Sequence, residues 1–201
     1  MTAQHWNGVY TPRPADSVSW YQARPDTSLR LLAQAAPDGP VLDVGGGTST
    51  LADELLGAGR DDVTVLDVSA AALDHVRRRL GAHPGLRLVA ADLLRWQPDR
   101  AYAAWHDRAV LHFLVDRGDQ AAYARAAAQA VRPGGAAVMG VFAPDGPTSC
   151  SGLPTARHSA DSVAALLGPA FELEHAERED HITPTGSRQA FAWAMLRRSS
   201  V

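Results

Sequence analysis

Val41-Leu42-Asp43-Val44-Gly45-Gly46-Gly47-Thr48-Ser49 is the stretch from which the rest of the chain is read. An apolar run ends in three successive glycines, as a buried strand does when it turns into a helix. Glycines at such a turn let the backbone approach a ligand with no Cβ in the way, and ligands in open α/β sheets bind beyond the carboxyl ends of the strands. A tight turn with no ligand is the competing reading of the glycines alone. Asp43 lies within the strand, two residues before the first glycine. A carboxylate there disfavours a diphosphate and suits a cationic ligand. The spacing Gly45-x-Gly47-x-x-Thr50 also lacks the third glycine of the dinucleotide fingerprint.

Outward from this turn, short β-rich runs alternate with alanine- and leucine-rich helical patterns, the signature of a parallel α/β sheet. A helix is expected from Ser49, closed by Gly57 and Gly59, and then a strand over 63–68. Ser69 suits the N-cap of a helix whose Arg77, Arg78 and Arg79 favour the negative end of its dipole. A third strand runs to Asp92 and a fourth over about 103–107, with Tyr102 and Trp105 along it. Asp119 reads as the cap of a helix reaching Val131, stopped by Arg132-Pro133-Gly134-Gly135. Residues 136–142 are apolar throughout, as in a strand buried on both faces. Ser159 starts a last helix that ends at Gly168-Pro169. The runs 171–179 and 187–198 then read as two strands, and the short link around Thr183-Pro184-Thr185-Gly186 permits only an antiparallel pair. The expectation is a Rossmann-like seven-stranded sheet, mostly parallel with a C-terminal antiparallel hairpin and helices on both faces, forming one domain over 1–201. Residues 1–40 carry Trp6, Tyr10, Trp20, Tyr21 and a helix from Ser28, and are expected to form a cap or lid.

Composition narrows the classes. The chain has 201 residues, 46% hydrophobic and 20% charged, which excludes a disordered tail, a coiled coil and a collagen-like repeat. Nineteen basic against 22 acidic residues give a net charge of −3, so bulk electrostatics do not favour nucleic acid. The N-terminus lacks the pattern of a signal peptide, and no apolar run approaches the roughly 20 residues that span a bilayer. A cytoplasmic protein without nucleic-acid or membrane partners is expected. The single cysteine, Cys150, and eight histidines without zincin-type pairing give no metal site. Cys150 reads as an inert small residue rather than a reactive thiol.

Asp67 closes the second strand roughly 20 residues after the glycines, where an acid accepts hydrogen bonds from both hydroxyls of an adenosine ribose. With Asp43, the three glycines and Asp67 in this order, the chain resembles the class I S-adenosylmethionine-dependent methyltransferases, and the likeness runs from Val41 to the end. It implies that Gly45, Gly46 and Gly47 cradle the methionine part of the cofactor while Asp43 holds its ammonium group. Asp67 would bind the ribose, Val68 would lie against the adenine, and Asp92 with Leu93 would meet the adenine amino group. Asp107 and Arg108, at the fourth-strand tip, would line the sulfonium and the substrate. Helix capping is the competing reading for Asp67 and Asp92.

Methyl transfer is an in-line displacement that asks for alignment and exclusion of water, with a general base only where the nucleophile carries a proton. His112 is the candidate base or orienting group, with Asp107 beside it in the catalytic set, and a packed core histidine as the rival. Tyr10 and Trp20 are expected to roof the cofactor, Trp offering the best face for a cation. Tyr21, His112 and Arg157 are expected on the substrate side, Arg157 to pair an anionic group. The opening Trp–Tyr segment is similar to enzymes related to the citrate synthase-lysine and elongation-factor-lysine methyltransferases. Asp107-Arg108 followed by an apolar run resembles the thiopurine and thiol methyltransferase group. The leading expectation is methylation of a small-molecule N, O or S nucleophile. A protein-lysine methyltransferase, a nicotinamide-dependent oxidoreductase and a non-catalytic cofactor-binding module are the alternatives. Oligomeric state is not legible.

Overall fold

A computed structural model describes residues 2–11 and 15–200. Helix α1 (Ala3–Tyr10) is followed by α2 (Asp26–Ala35), and then strands and helices alternate: β1 (Val41–Val44), α3 (Leu51–Gly57), β2 (Val63–Asp67), α4 (Ala70–Leu80) and β3 (Leu86–Ala90). Next come β4 (Tyr102–Arg108), α5 (Arg117–Ala130), β5 (Val131–Phe142), a two-stranded hairpin β6 (Ser149–Cys150) and β7 (Leu153–Pro154), α6 (Ala160–Leu167), β8 (Phe171–Ile182) and β9 (Arg188–Arg198). The main sheet has the order β3-β2-β1-β4-β5-β9-β8. The pairings among β1 to β5 are parallel, and β9 joins β5 and β8 antiparallel. This is the seven-stranded Rossmann-like sheet read from the sequence.

Side chains alternate across each strand, and the two faces carry separate cores. Leu42, Val44, Trp105, Met139 and Leu196 pack toward α5 and α6, whereas Val41, Val65, Ala104, Val138 and Trp193 pack toward α2 and α3. Leu31 and Leu32 of α2 are wholly buried in that second core, so this part of the expected cap is a structural layer of the sheet. Among the described residues of 1–40, α1 and the segment around 18–22 lie over the sheet edge.

Local chemistry moves several boundaries. Asp116, not Asp119, caps α5: its carboxylate accepts from the amides of Gly118 at 2.7 Å and Asp119 at 3.3 Å. Arg132, Pro133, Gly134 and Gly135 follow the helix as an irregular start of β5, where pairing jumps from Tyr102↔Val131 to Ala104↔Ala136. Strand β3 ends at Ala90, which leaves Asp92 in the turn beyond it, and residues 91–101 reach β4 without a helix. The β6–β7 hairpin was not read from the sequence. Its turn has Ser151 at φ 51° and Gly152 at φ 77°, the left-handed pair that two-residue hairpins favour. Ser69 caps α4 as expected, its hydroxyl accepting from the Ala72 amide at 3.2 Å.

Candidate functional site

A cleft opens at the carboxyl ends of β1, β2 and β4. At its floor the glycine turn is held by the buried Asp67 carboxylate, with Asp43 buried beside it. Asp67 Oδ2 accepts from the Gly47 amide at 2.9 Å and Oδ1 from the Ser69 amide at 2.7 Å. Burial pushes the Asp67 carboxyl up from its ordinary 3.8 to about 6, although both amides pull the other way. Gly47 has φ 55°, and a Cβ there would come within 2.5 Å of the Tyr10 hydroxyl. A side chain at Gly46 would run into Asp43 and, at 2.7 Å, into Val65.

Asp43 is buried beside this turn. Its Oδ1 lies 2.7 Å from His106 Nδ1, and His106 Nε2 lies 2.9 Å from Ser28 Oγ. With the ring neutral, Nδ1–H donates to the carboxylate and Nε2 accepts from the serine. Asp43 Oδ2 has no hydrogen-bond partner among the described residues. Neither Ser28 nor His106 was a sequence-predicted member of the site. His106 was legible as a strand residue in phase with Asp43, but Ser28 arrives from a helix 15 residues earlier in sequence.

The other expected cofactor residues divide. Gly45, Val68, Asp92, Leu93, Tyr10 and Trp20 line the cleft, as does Tyr21 from the substrate set. Asp92 is exposed at the rim and accepts from the Leu94 amide at 3.1 Å. Trp6, Tyr10, Trp20 and Phe113 form an aromatic cover, with Trp6 and Phe113 at 5.1 Å and Tyr10 and Trp20 at 6.1 Å, both edge to face. The cover is tied down at α4, where Asn7 Oδ1 accepts from the Ser69 hydroxyl at 2.7 Å.

Strand parity corrects the expectation for Asp107. His106 and Arg108 share the cleft face, so Asp107 points through the sheet toward α5. There it accepts from Tyr123 Oη at 2.5 Å and from the amides of Val110 at 2.8 Å and Leu111 at 3.0 Å. Burial raises its carboxyl to about 6 against those three donors. Asp107 holds the turn after β4 from behind and does not line the cleft. Ala109 completes that turn at φ 77°, a left-handed conformation that costs a residue with a Cβ about 1–2 kcal/mol.

Arg108, expected to line the sulfonium and the substrate, stands in the cleft wall. Its Nη1 donates to the Trp20 carbonyl at 2.8 Å and its guanidinium lies 4.8 Å over the Phe191 ring. Nε and Nη2 are buried without a partner among the described residues. Burial lowers its pKa to about 10, with Glu179 pulling it back up, so it stays charged at neutral pH. His112 is fully buried and stacks on Phe142 at 4.1 Å. Burial first, then Arg108 and His158, lower its pKa from 6.5 to about 3. Its Nδ1 accepts from the Phe142 amide at 3.3 Å, which leaves the proton of the neutral ring on Nε2, buried and unpartnered. The neutral ring is therefore a hydrogen-bond donor at Nε2 and a weak base. Arg157 is exposed, donates to the Pro144 carbonyl at 2.9 Å and lies outside the cleft wall. Cys150 lines the cleft, and burial raises its thiol pKa, so it is not an activated thiolate. Gln189 and Phe191, both from β9, complete the wall and were missed. Nothing local marks them; β9 reaches the cleft only through its pairing with β5.

Residues 41–135 match a family model described as a methyltransferase domain. No curated protein matches the chain. Among solved structures, one concerned with conversion of a disulfide bond into a thioacetal group during echinomycin biosynthesis aligns with TM-score 0.79 at 21% identity, covering 98% of this chain and 92% of that one. A DhpI–SAH complex aligns with TM-score 0.73 at 20% identity over 100% and 96% of the two chains. The 1,6-didemethyltoxoflavin-N1-methyltransferase of Burkholderia thailandensis, with 1,6-didemethyltoxoflavin and S-adenosylhomocysteine bound, aligns with TM-score 0.71 at 20% identity over 87% and 77%. At these identities the alignments establish a common fold.

Proposed function

We propose that the chain, whose residues 41–135 match a methyltransferase-domain model, is an S-adenosylmethionine-dependent enzyme that methylates a small-molecule N, O or S nucleophile. The observation that carries this reading is the pair of buried carboxylates, Asp43 and Asp67, on either side of a glycine turn at the carboxyl edge of the sheet. Each has acceptor capacity that the protein leaves unused. Asp67 spends one backbone amide on each oxygen, so lone pairs remain for two ribose hydroxyls. Asp43 has an oxygen free for an ammonium group, and His106, backed by Ser28, fixes the carboxylate plane. Val68 and Leu93 suit the two faces of an adenine and Asp92 its amino group at the rim. Structural relatives that carry S-adenosylhomocysteine support the cofactor.

When bound, S-adenosylmethionine supplies a methyl group already activated by a positive sulfur. The protein's part is alignment and exclusion of water. Trp6, Tyr10, Trp20 and Phe113 cover the cleft, and the β6–β7 hairpin closes it from the side of Cys150. Neutral His112 orients an acceptor through Nε2–H and takes no proton from it. Among the described residues no helix is long and apolar enough to cross a membrane.

Isothermal titration with S-adenosylmethionine and S-adenosylhomocysteine is the direct test, followed by a screen for S-adenosylhomocysteine release with amines, phenols and thiols. Binding of both cofactor forms is expected, and absence of binding at millimolar concentration refutes the reading.

A further inference from the structure

Resting on that reading, we infer that the methyl acceptor carries a carboxylate, seated side-on against Nε and Nη2 of Arg108, on a small aromatic or otherwise apolar body. The Arg108 guanidinium lacks partners for most of its donors. It is a cation in the wall of a covered cleft, and it makes no ion pair among the described residues. Its one hydrogen bond uses Nη1, while the edge formed by Nε and Nη2 is buried and bare. That edge presents two parallel N–H groups, the fork that matches both oxygens of a carboxylate. Leaving such donors unpaired is costly in any resting protein, and a ligand that satisfies them recovers the cost.

Neighbouring groups extend the pattern. His112 Nε2–H is a second buried donor without a partner, and Gln189 Oε1 is a buried acceptor without one. Phe113, Phe142 and Phe191 supply apolar walls. Three donors, one acceptor and aromatic faces describe a planar acid with one further N–H or O–H group.

A carboxylate has two sources here, the acceptor and the methionine end of the cofactor. The direction of Arg108 favours the acceptor. Its guanidinium leans over Phe191 of β9, two strands along the sheet from β4. Asp43 and Asp67 stand on β1 and β2, on the other side of β4. Asp43 and Asp67 therefore stand on the opposite side of β4 from the ring over which the guanidinium leans.

The test titrates benzoate, salicylate and anthranilate, with benzamide and benzylamine as neutral and cationic counterparts, into the protein free and saturated with S-adenosylhomocysteine. At least one acid is expected to bind the saturated protein in the millimolar range or tighter, at least tenfold better than benzamide and benzylamine. R108M should lose this binding tenfold or more while holding S-adenosylhomocysteine within threefold of the unaltered protein. R108K, which keeps the charge and loses the fork, should fall between. A thermal melt reports whether R108M is folded, and removal of an unpaired buried charge is expected to leave its Tm unchanged or higher. Equal binding of acid and amide, failure of all three acids, or acid binding undiminished in folded R108M overturns the inference. So does a tenfold loss of S-adenosylhomocysteine affinity in R108M, which assigns the fork to the cofactor. Acid binding that depends on Arg108 in a protein that ignores S-adenosylhomocysteine refutes the proposed function and leaves the carboxylate site standing.

Discussion

Replacing Tyr123 with phenylalanine separates a buried strut from a catalytic group. The Tyr123 hydroxyl donates to Asp107 Oδ2 at 2.5 Å and accepts from Trp105 Nε1 at 2.9 Å, wholly inside the core between β4 and α5. Y123F keeps the ring, which packs edge to face on Trp105 at 5.4 Å, and deletes both hydrogen bonds. A bond to a charged acceptor is worth about 1.5–3 kcal/mol, and an indole N–H left unsatisfied costs about 1–3 kcal/mol. The expected loss is about 4 kcal/mol, which for a chain of this size lowers Tm by roughly 8–16 °C. The deficit also depends on pH. Asp107 titrates at about 6 in the folded protein, and the Tyr123 bond pulls that value down, so Y123F binds its proton more tightly. The advantage of the unaltered protein therefore grows as pH rises above 6 and shrinks toward pH 5. Calorimetric melts at pH 5.0 and 7.5, with S-adenosylhomocysteine titrations on the folded variant, read both quantities. A Tm within 2 °C of the unaltered protein, or full stability with cofactor affinity down more than fivefold, would refute the assignment of Asp107 to the back of the sheet.

D67A should weaken S-adenosylhomocysteine binding at least 100-fold, since two charge-assisted hydrogen bonds at about 1.5–3 kcal/mol each are removed. In the unaltered protein that affinity should fall as pH drops below 6, because the ligand needs the ionised carboxylate and burial holds the Asp67 pKa near 6; titrations from pH 5 to 8 that show a flat profile contradict it. The stability contribution of the same group runs the other way: its folded pKa lies above the ordinary 3.8, so the stability it lends is complete below pH 4 and lost as pH rises through 6. A109G should raise Tm by about 1–4 °C, as relief of the left-handed alanine at φ 77° outweighs the added freedom of the unfolded chain; a lower Tm argues against strain in this turn. G46A should cut cofactor affinity more than tenfold in a folded protein, since its Cβ displaces Asp43 and meets Val65 Cγ1 at 2.7 Å. Unchanged binding by G46A would mean that Asp43 does not touch the ligand.

The sequence by itself determined the sheet, its parallel core and antiparallel hairpin, and the order Asp43, glycine turn, Asp67, because each of these is local. A buried strand, a glycine turn and an acid at the next strand end are written within a few residues of one another, and short links restrict how they connect. Even the orientation of Asp107 was legible, since two-residue alternation from His106 sends it to the opposite face. Only the tertiary structure decided the surroundings of Arg108 and His106. Arg108 gains its meaning from Phe191, which arrives from β9, and His106 its fixed place from Ser28 on α2. Arg157, as basic as Arg108 in the sequence, finds the Pro144 carbonyl and solvent instead. Whether a charge is left bare in an enclosed space is a property of everything that surrounds it, and those surroundings come from segments far apart along the chain.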